Sequence, residues 1–397
     1  MKRKHPAEDH LSAGGSIGSP SAARRYELDW LRVLAVLLLL YFHTAAIFYR
    51  GELGEFYIKD TQPSEVMNLF ITFVYQWHMP LFFFLSGAAA WFALGFRTPG
   101  QYVVERFRRL CIPLVFGTLV LIPPQVYWHL TSDPHSRGGS YLSFYPHFFN
   151  GIRPYGNFEW GHLWFVAYLL MLSLVALPLL LYLRSEPGLN LRTKLADLMT
   201  RPVAILFLPA LPLALIEGIL RVRWPGFQNL YDDWANVLLY LGYFVYGYLL
   251  SSEPRLGLAI DRHRVPALSL AFVTMAVVLG LYVADLIPTR SYTLPYISYQ
   301  LLRGLNGWLW IIALLALGRR YLNFNHRLLE YTRKASYPFY LLHQTVVVGI
   351  GFYVIQWSAG VSEKFLIIST ASLVLTLILY DGLVKRTRLT RLLFGIG

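Results

Sequence analysis

The chain has 397 residues, of which 56% are hydrophobic and 14% charged, against about 25% charged in an average soluble domain. Too few charged side chains are available to cover a core of that size with a wetted surface, so the composition excludes a soluble globular protein and indicates an integral membrane protein. The 35 basic and 22 acidic residues leave a formal charge of +13, and where those charges sit decides between a nucleic-acid footprint and a membrane topology signal.

Residues 1–24 are rich in Ser, Gly, Ala and Pro and contain no apolar stretch. They read as a disordered cytoplasmic tail, not a signal peptide. A bilayer core about 30 Å thick needs roughly 20 apolar residues in a helix. Ten such runs follow, at 28–49, 67–95, 111–130, 161–183, 202–220, 235–251, 265–287, 296–317, 336–357 and 363–384. The fifth is the weakest, because Pro209, Pro212 and Glu217 interrupt it. None alternates with period 2, so the expected fold is all-α, a polytopic transmembrane bundle of about ten spans, not a barrel. Residues 25–384 read as one membrane domain without internal repeat, and 385–397 as a basic cytoplasmic tail.

The basic residues sort by side. The N-terminal tail, loops 96–110, 184–201, 252–264 and 318–334, and the C-terminal tail hold 25 Lys and Arg, whereas the alternate segments hold eight and the spans two, Arg32 and Arg303. That asymmetry places both termini in the cytoplasm and the chain in a cell (inner) membrane. The charge is then a topology signal, and no nucleic-acid partner is expected. A single cysteine, Cys111, excludes an internal disulfide.

Ionisable groups inside spans are costly and mark functional positions by default. The first run carries Asp29, Arg32 and His43. Arg32 and His43 are eleven residues apart, about three turns, and share a face about 16 Å long. Asp29, three residues before Arg32, is placed to pair with it. Either the three line a polar track into the bundle, or Asp29 and Arg32 form a boundary ion pair. His78 precedes Pro80, which frees a carbonyl one turn back. His162 with Trp164 opens the fourth run as an anchor or a substrate contact, and His343 follows Tyr337 and Tyr340, one of whose hydroxyls it is placed to bond. Arg106 and Arg109, three apart before the third run, face one way on a helix and suit a phosphate-rich ligand from the cytoplasm, or simply serve positive-inside retention. The longest outer loop, 131–160, contains His135, His147, Tyr141, Tyr145 and Tyr155 and reads as an external cover or a substrate lip. Asp232 and Asp233 beside Trp234 are either sugar contacts or solvated loop residues.

Four blocks in order carry a family resemblance: Tyr26 to Ala35 with Tyr41-Phe42-His43, HMPLFFFLSG from His78 to Gly87, Arg106 and Arg109 followed by Pro113, and ASYPFYLLHQTVVV from Ala335 to Val348. Together they resemble the acyltransferase-3 family of integral membrane acyltransferases over nearly the whole chain. GHLWFVAYLL, from Gly161 to Leu170, and SYPFYLLHQT resemble most the branch that succinylates periplasmic glucans. Other members carry an acidic pair soon after the fourth-span Trp, where this chain has apolar Leu169 and Leu170. Many also carry an appended hydrolase-like domain, which a chain stopping 13 residues after its last run is expected to lack.

The resemblance implies O-acyl transfer, acetyl or succinyl, from acyl-CoA to a hydroxyl of an extracytoplasmic or lipid-linked glycan, with no metal. It makes His43 the catalytic residue, Arg32 its partner, and Arg106 and Arg109 the donor contacts, and Asp29, placed to pair with Arg32, is grouped with the catalytic pair. His78, His162, Trp164 and His343 fall to the substrate. An imidazole at His43 suits a general base that takes the hydroxyl proton, or a covalent acyl carrier. Arg32, or backbone groups near Pro80, would meet the oxyanion. The rival reading from the same features is a transporter or flippase for a glycan or lipid.

Overall fold

The computed structural model describes residues 24–51, 58–132, 139–226 and 228–396. Residues 1–23 of the N-terminal tail and His135 of the long loop lie outside the described residues. The described chain is helical throughout, with one isolated bridge between Ile152 and Phe158.

The helices run in order as α1 (Tyr26–Ala46), α2 (Glu65–Tyr75), α3 (His78–Ala93), α4 (Pro99–Thr131), α5 (Gly161–Val175), α6 (Glu186–Met199), α7 (Ala204–Leu220), α8 (Trp234–Ser252), α9 (Pro254–Arg262), α10 (Arg264–Val283), α11 (Leu294–Tyr321), α12 (Arg327–Val354), α13 (Val361–Val384) and α14 (Arg388–Leu393). Six segments are long and apolar enough to cross a membrane: α1, α2–α3 taken together, α4, α10, α11 and α13. The fifth expected span, with part of the loop before it, is a broken pair, α6 and α7, bent by 108°. Its prolines and the π-helical turn Ile216–Leu220 are the physical cause of its irregularity. The fourth breaks at Ala176, before Pro178, and resumes as a short helix, Leu177–Tyr182, and α8 and α12 fall below the apolarity of a span because tyrosines, His343 and basic side chains interrupt them.

Local sequence accounts for the ends that matter. Thr98 and Gln101 close a capping box around Pro99, which starts α4 cleanly. A π-helical turn, Phe107–Cys111, then shifts the register of α4 next to its arginines. Pro80 occupies the first turn of α3, where a missing N–H has no helical partner to lose.

Packing against the core is closest where side chains vanish. A Cβ on Gly87 would lie 1.8 Å from the Phe244 carbonyl oxygen, and one on Gly247 would lie 1.9 Å from that of Phe84. Helices α3 and α8 therefore cross backbone to backbone, the small-residue contact that drives association where lipid offers no hydrophobic gain. Phe83 stacks on Tyr240 beside the crossing at 4.3 Å. The bundle interior that concerns the site is enclosed by α1, α3, α5 and α12. The described part of the long outer loop folds into two short turns, Tyr141–Phe144 and Tyr145–Phe149. It docks through a buried Phe148 and a bond from the Tyr145 hydroxyl to the Leu119 carbonyl.

Gly87→Val is expected to lower the unfolding temperature of the detergent-solubilised protein, because overpacking of this kind costs about 1–3 kcal/mol or more. Gly280→Val, with no heavy atom within 4 Å of the added Cβ, is the matched control and should not lower that temperature.

Candidate functional site

Four histidines from four helices or helix starts converge in the interior, and all four are buried. His43 comes from the last turn of α1, His78 from the start of α3, His162 from the turn that opens α5, and His343 from the middle of α12. The ring centroid of His43 lies 5.0 Å from that of His343 and 6.5 Å from that of His162, and His162 and His343 are 5.4 Å apart. Among the described residues no three His, Cys, Asp or Glu side chains are arranged to hold a metal ion.

Backbone carbonyls orient three of the rings. His78 Nε2 donates to the Ala35 carbonyl at 2.8 Å, His162 Nε2 to that of Leu341 at 3.1 Å, and His343 Nδ1 to that of Tyr340 at 2.6 Å. A carbonyl oxygen only accepts, so the bonded nitrogen must carry the proton. In a neutral ring the opposite nitrogen is then a lone-pair base. For His162 that atom is Nδ1 and for His343 it is Nε2, and both are buried without a protein partner. The expected tyrosine hydroxyl for His343 is replaced by the Tyr340 carbonyl, while the Tyr340 hydroxyl itself donates to the His162 carbonyl.

Three of the four, His43, His78 and His162, border a narrow pocket of about 40 Å³ lined also by Leu39, Phe42, Tyr75, Met79, Trp164, Gln228 and Tyr340, with His343 packed behind His43 and His162. Trp164 is buried there and His162 is fixed to α12, so neither is an interfacial anchor.

A second, larger cavity of about 520 Å³ lies nearer the start of α1. Its lining includes Asp29, Arg32, Arg106, Arg109, Arg333 and Lys334, five cations against one carboxylate. Asp29 pairs more closely with Arg24, at 2.9 Å, than with Arg32, at 3.5 Å. Glu105 holds Arg97 at 2.9 Å and Arg109 at 3.2 Å, and Arg106 lies over the Tyr102 ring at 4.7 Å. The hydroxyl of Tyr337 and Nε of Arg106 are buried at this cavity without partners.

The structure therefore brings Arg32, Arg106 and Arg109 together and sets His43 apart from them. The single polar track expected along α1 is divided: Asp29 and Arg32 serve the basic cavity, and His43 serves the histidine pocket. Arg32 is accordingly too far along α1 to meet an oxyanion formed at His43, about three turns away.

Asp233 also changes meaning. It is fully buried, and its Oδ2 accepts from the Tyr168 hydroxyl at 2.5 Å, the Gln228 N–H at 2.9 Å and Asn236 Nδ2 at 2.9 Å. Burial raises its carboxyl above the ordinary value, against those three bonds. It pins the loop that presents Gln228, a residue at φ 58°, to the pocket. It is neither a sugar contact nor a solvated residue. Asp232 accepts from Trp224. Gln228, Arg333 and Lys334 carry no motif of their own, and only their location marks them.

A family model described as an acyltransferase domain matches residues 25–381. The chain belongs to the acyltransferase-3 family. It is a membrane acyltransferase. Curated relatives named Glucans biosynthesis protein C, from Salmonella paratyphi B, Salmonella agona and Salmonella enteritidis, are each 25% identical to it over 348 residues, covering 85% of this chain and 86% of theirs. No solved structure matches the chain.

Asp233→Ala in this acyltransferase leaves three buried donors without their acceptor, each at about 1–3 kcal/mol. The variant is expected to unfold at lower temperature and to expose the 224–233 loop to limited proteolysis, measured on purified protein. Asp232→Ala, at an exposed position, should do neither.

Proposed function

We propose that the protein is an O-acyltransferase of the cell (inner) membrane that moves an acetyl or succinyl group from acyl-CoA to a glycan hydroxyl on the far side of the membrane, with both termini and the basic cavity on the cytoplasmic side. The observation that carries the reading is the pair of cavities within one four-helix interior, basic at one end and histidine-lined at the other. The basic bias of alternate loops supports the orientation and a chain that crosses about ten times, with α6–α7, the short α5 and the less apolar α8 and α12 supplementing the six long spans. The relatives' name supports a glucan as the acceptor class.

Guanidinium groups recognise phosphate by paired hydrogen bonds, so Arg32, Arg106 and Arg109, with Arg333 and Lys334, suit the diphosphate and ribose phosphate of coenzyme A. The cavity is of the size that holds a drug-sized portion of a ligand. From there the thioester arm points along α1 toward His43. In the pocket, an imidazole nitrogen of His43 takes the proton of the acceptor hydroxyl as its oxygen attacks the thioester carbonyl. The tetrahedral intermediate collapses with cleavage of the C–S bond, and the proton passes to the departing thiolate. His162 and His343, whose tautomers are fixed by α12 carbonyls, hold the surrounding polarity constant. Trp164 and Gln228 suit a sugar face and a neighbouring hydroxyl.

The deciding experiment incubates membranes containing the protein with labelled succinyl- or acetyl-coenzyme A and glucan acceptors. Label on the acceptor is expected, whereas movement of glycan without covalent transfer would overturn the reading in favour of a carrier. General-base help is worth about 10²–10⁴-fold. His43→Ala should accordingly lose transfer by that order while the protein still inserts. Arg106→Gln and Arg109→Gln should raise the KM for the donor more than they lower kcat.

A further inference from the structure

The two cavities are stacked in one shaft, because the same four helices line both in register. On α1, Val36 faces the basic cavity and Leu39 the histidine pocket; on α3, Phe82 and Met79 divide in the same way, and on α5, Phe165 and Trp164. Among the described residues Tyr340 is the one that borders both cavities.

Tyr340 is held as a wall would be. Its hydroxyl donates to the His162 carbonyl, and its ring lies 6.3 Å from Tyr337 in a near-parallel stack and 5.7 Å from Phe165 and from His162. Its own carbonyl orients His343. Two residues earlier Pro338 lies inside α12, so the helix lacks one interior hydrogen bond just where the wall would have to move.

Closure is also a matter of volume. The histidine pocket, at about 40 Å³, is far smaller than the basic cavity, at about 520 Å³, so an acyl arm held in the larger space has to pass Tyr340 to reach His43. Reacting atoms must approach to about 3–3.5 Å, which requires the two spaces to join.

We propose that Tyr340 is the gate between the donor and acceptor compartments, displaced by the thioester arm as it enters, and a positioning residue for the histidines behind it. The inference rests on the acyl-transfer reading for the identity of the arm, and on geometry alone for the partition. Until the arm displaces it, the closed gate keeps water on the histidine side away from a thioester held in the basic cavity.

The test uses the full chain in membrane vesicles of both orientations, with Cys111 replaced by Ser so that introduced cysteines stand alone. Ser86→Cys lies in the basic cavity and Met79→Cys in the histidine pocket, seven residues or about 10 Å apart on α3. A charged, membrane-impermeant methanethiosulfonate is applied from the side on which the basic cavity opens. It is expected to label Ser86→Cys and not Met79→Cys. Adding Tyr340→Ala should make Met79→Cys reactive from that side, and Tyr340→Phe, which keeps the ring, should not. Labelling of Met79→Cys with Tyr340 in place, or its continued protection in Tyr340→Ala, overturns the partition.

A second readout follows donor hydrolysis without acceptor. Tyr340→Ala is expected to hydrolyse acyl-coenzyme A several-fold faster than wild type, and Tyr340→Phe at the wild-type rate. Unchanged hydrolysis in an active Tyr340→Ala enzyme overturns the gate. Labelling needs no turnover, so a chain that uses no acyl donor at all sinks the acyl-transfer reading while the partition is judged independently.

Discussion

The interior of this protein is governed by one constraint: a polar group inside an apolar bundle must find its partner within the bundle. Main-chain carbonyls on the enclosing helices meet that need for the histidines. Ala35 on α1 takes the proton-bearing nitrogen of His78, and the adjacent carbonyls of Tyr340 and Leu341 on α12 take those of His343 and His162. Each such bond selects a tautomer, and for His162 and His343 it leaves the opposite nitrogen buried without a protein partner. The same requirement explains the Glu217–Arg221–Asn236 cluster on the far side of α8, where a buried carboxylate and guanidinium satisfy each other and an amide completes the set.

A divided interior follows from that arrangement. Charge gathers at one end, where arginines from α1, α4 and α12 share a cavity, and imidazoles gather at the other. The division suits a reaction whose two substrates differ so much in polarity and come from different sides. A polyanionic donor is best met by guanidinium groups that never lose their proton, whereas the attacking hydroxyl is best met by a group that can accept one. Placing them about three helical turns apart on α1 keeps the arginines from holding the imidazole in either charge state.

Much of this was legible in the residues themselves. The scarcity of charge made each intramembrane ionisable group conspicuous, and His43, Arg32, His78, His162 and His343 were singled out from their positions in apolar runs. Arg106 and Arg109 were distinguished by their spacing, and they do border one cavity despite the π-helical turn between them. Gln228 was not visible, because an amide in a loop has no signature until Asp233 is seen to hold its backbone at φ 58°. Asp233 was misleading for the same reason: beside Asp232 in sequence it resembles a wetted loop acid, and only the fold turns it inward onto Tyr168. Span counting was weakest where helices bend or carry polar faces, at α5, α6–α7, α8 and α12, because mean apolarity along the chain does not register a break or an enclosed stripe.

Composition, the segregation of basic residues and four local motifs by themselves determined a helical membrane protein and its family, and marked the side chains proposed to carry acyl transfer. These are properties of short stretches, set by the 1.5 Å rise of a helix and by the cost of charge in lipid. Only the tertiary structure decided that Arg32 and His43, on one face of one helix, belong to different cavities, and that Tyr340 stands between them. That depends on which side chains from α3, α5 and α12 fill the space beside α1, and such packing between distant segments has no expression in any one of them.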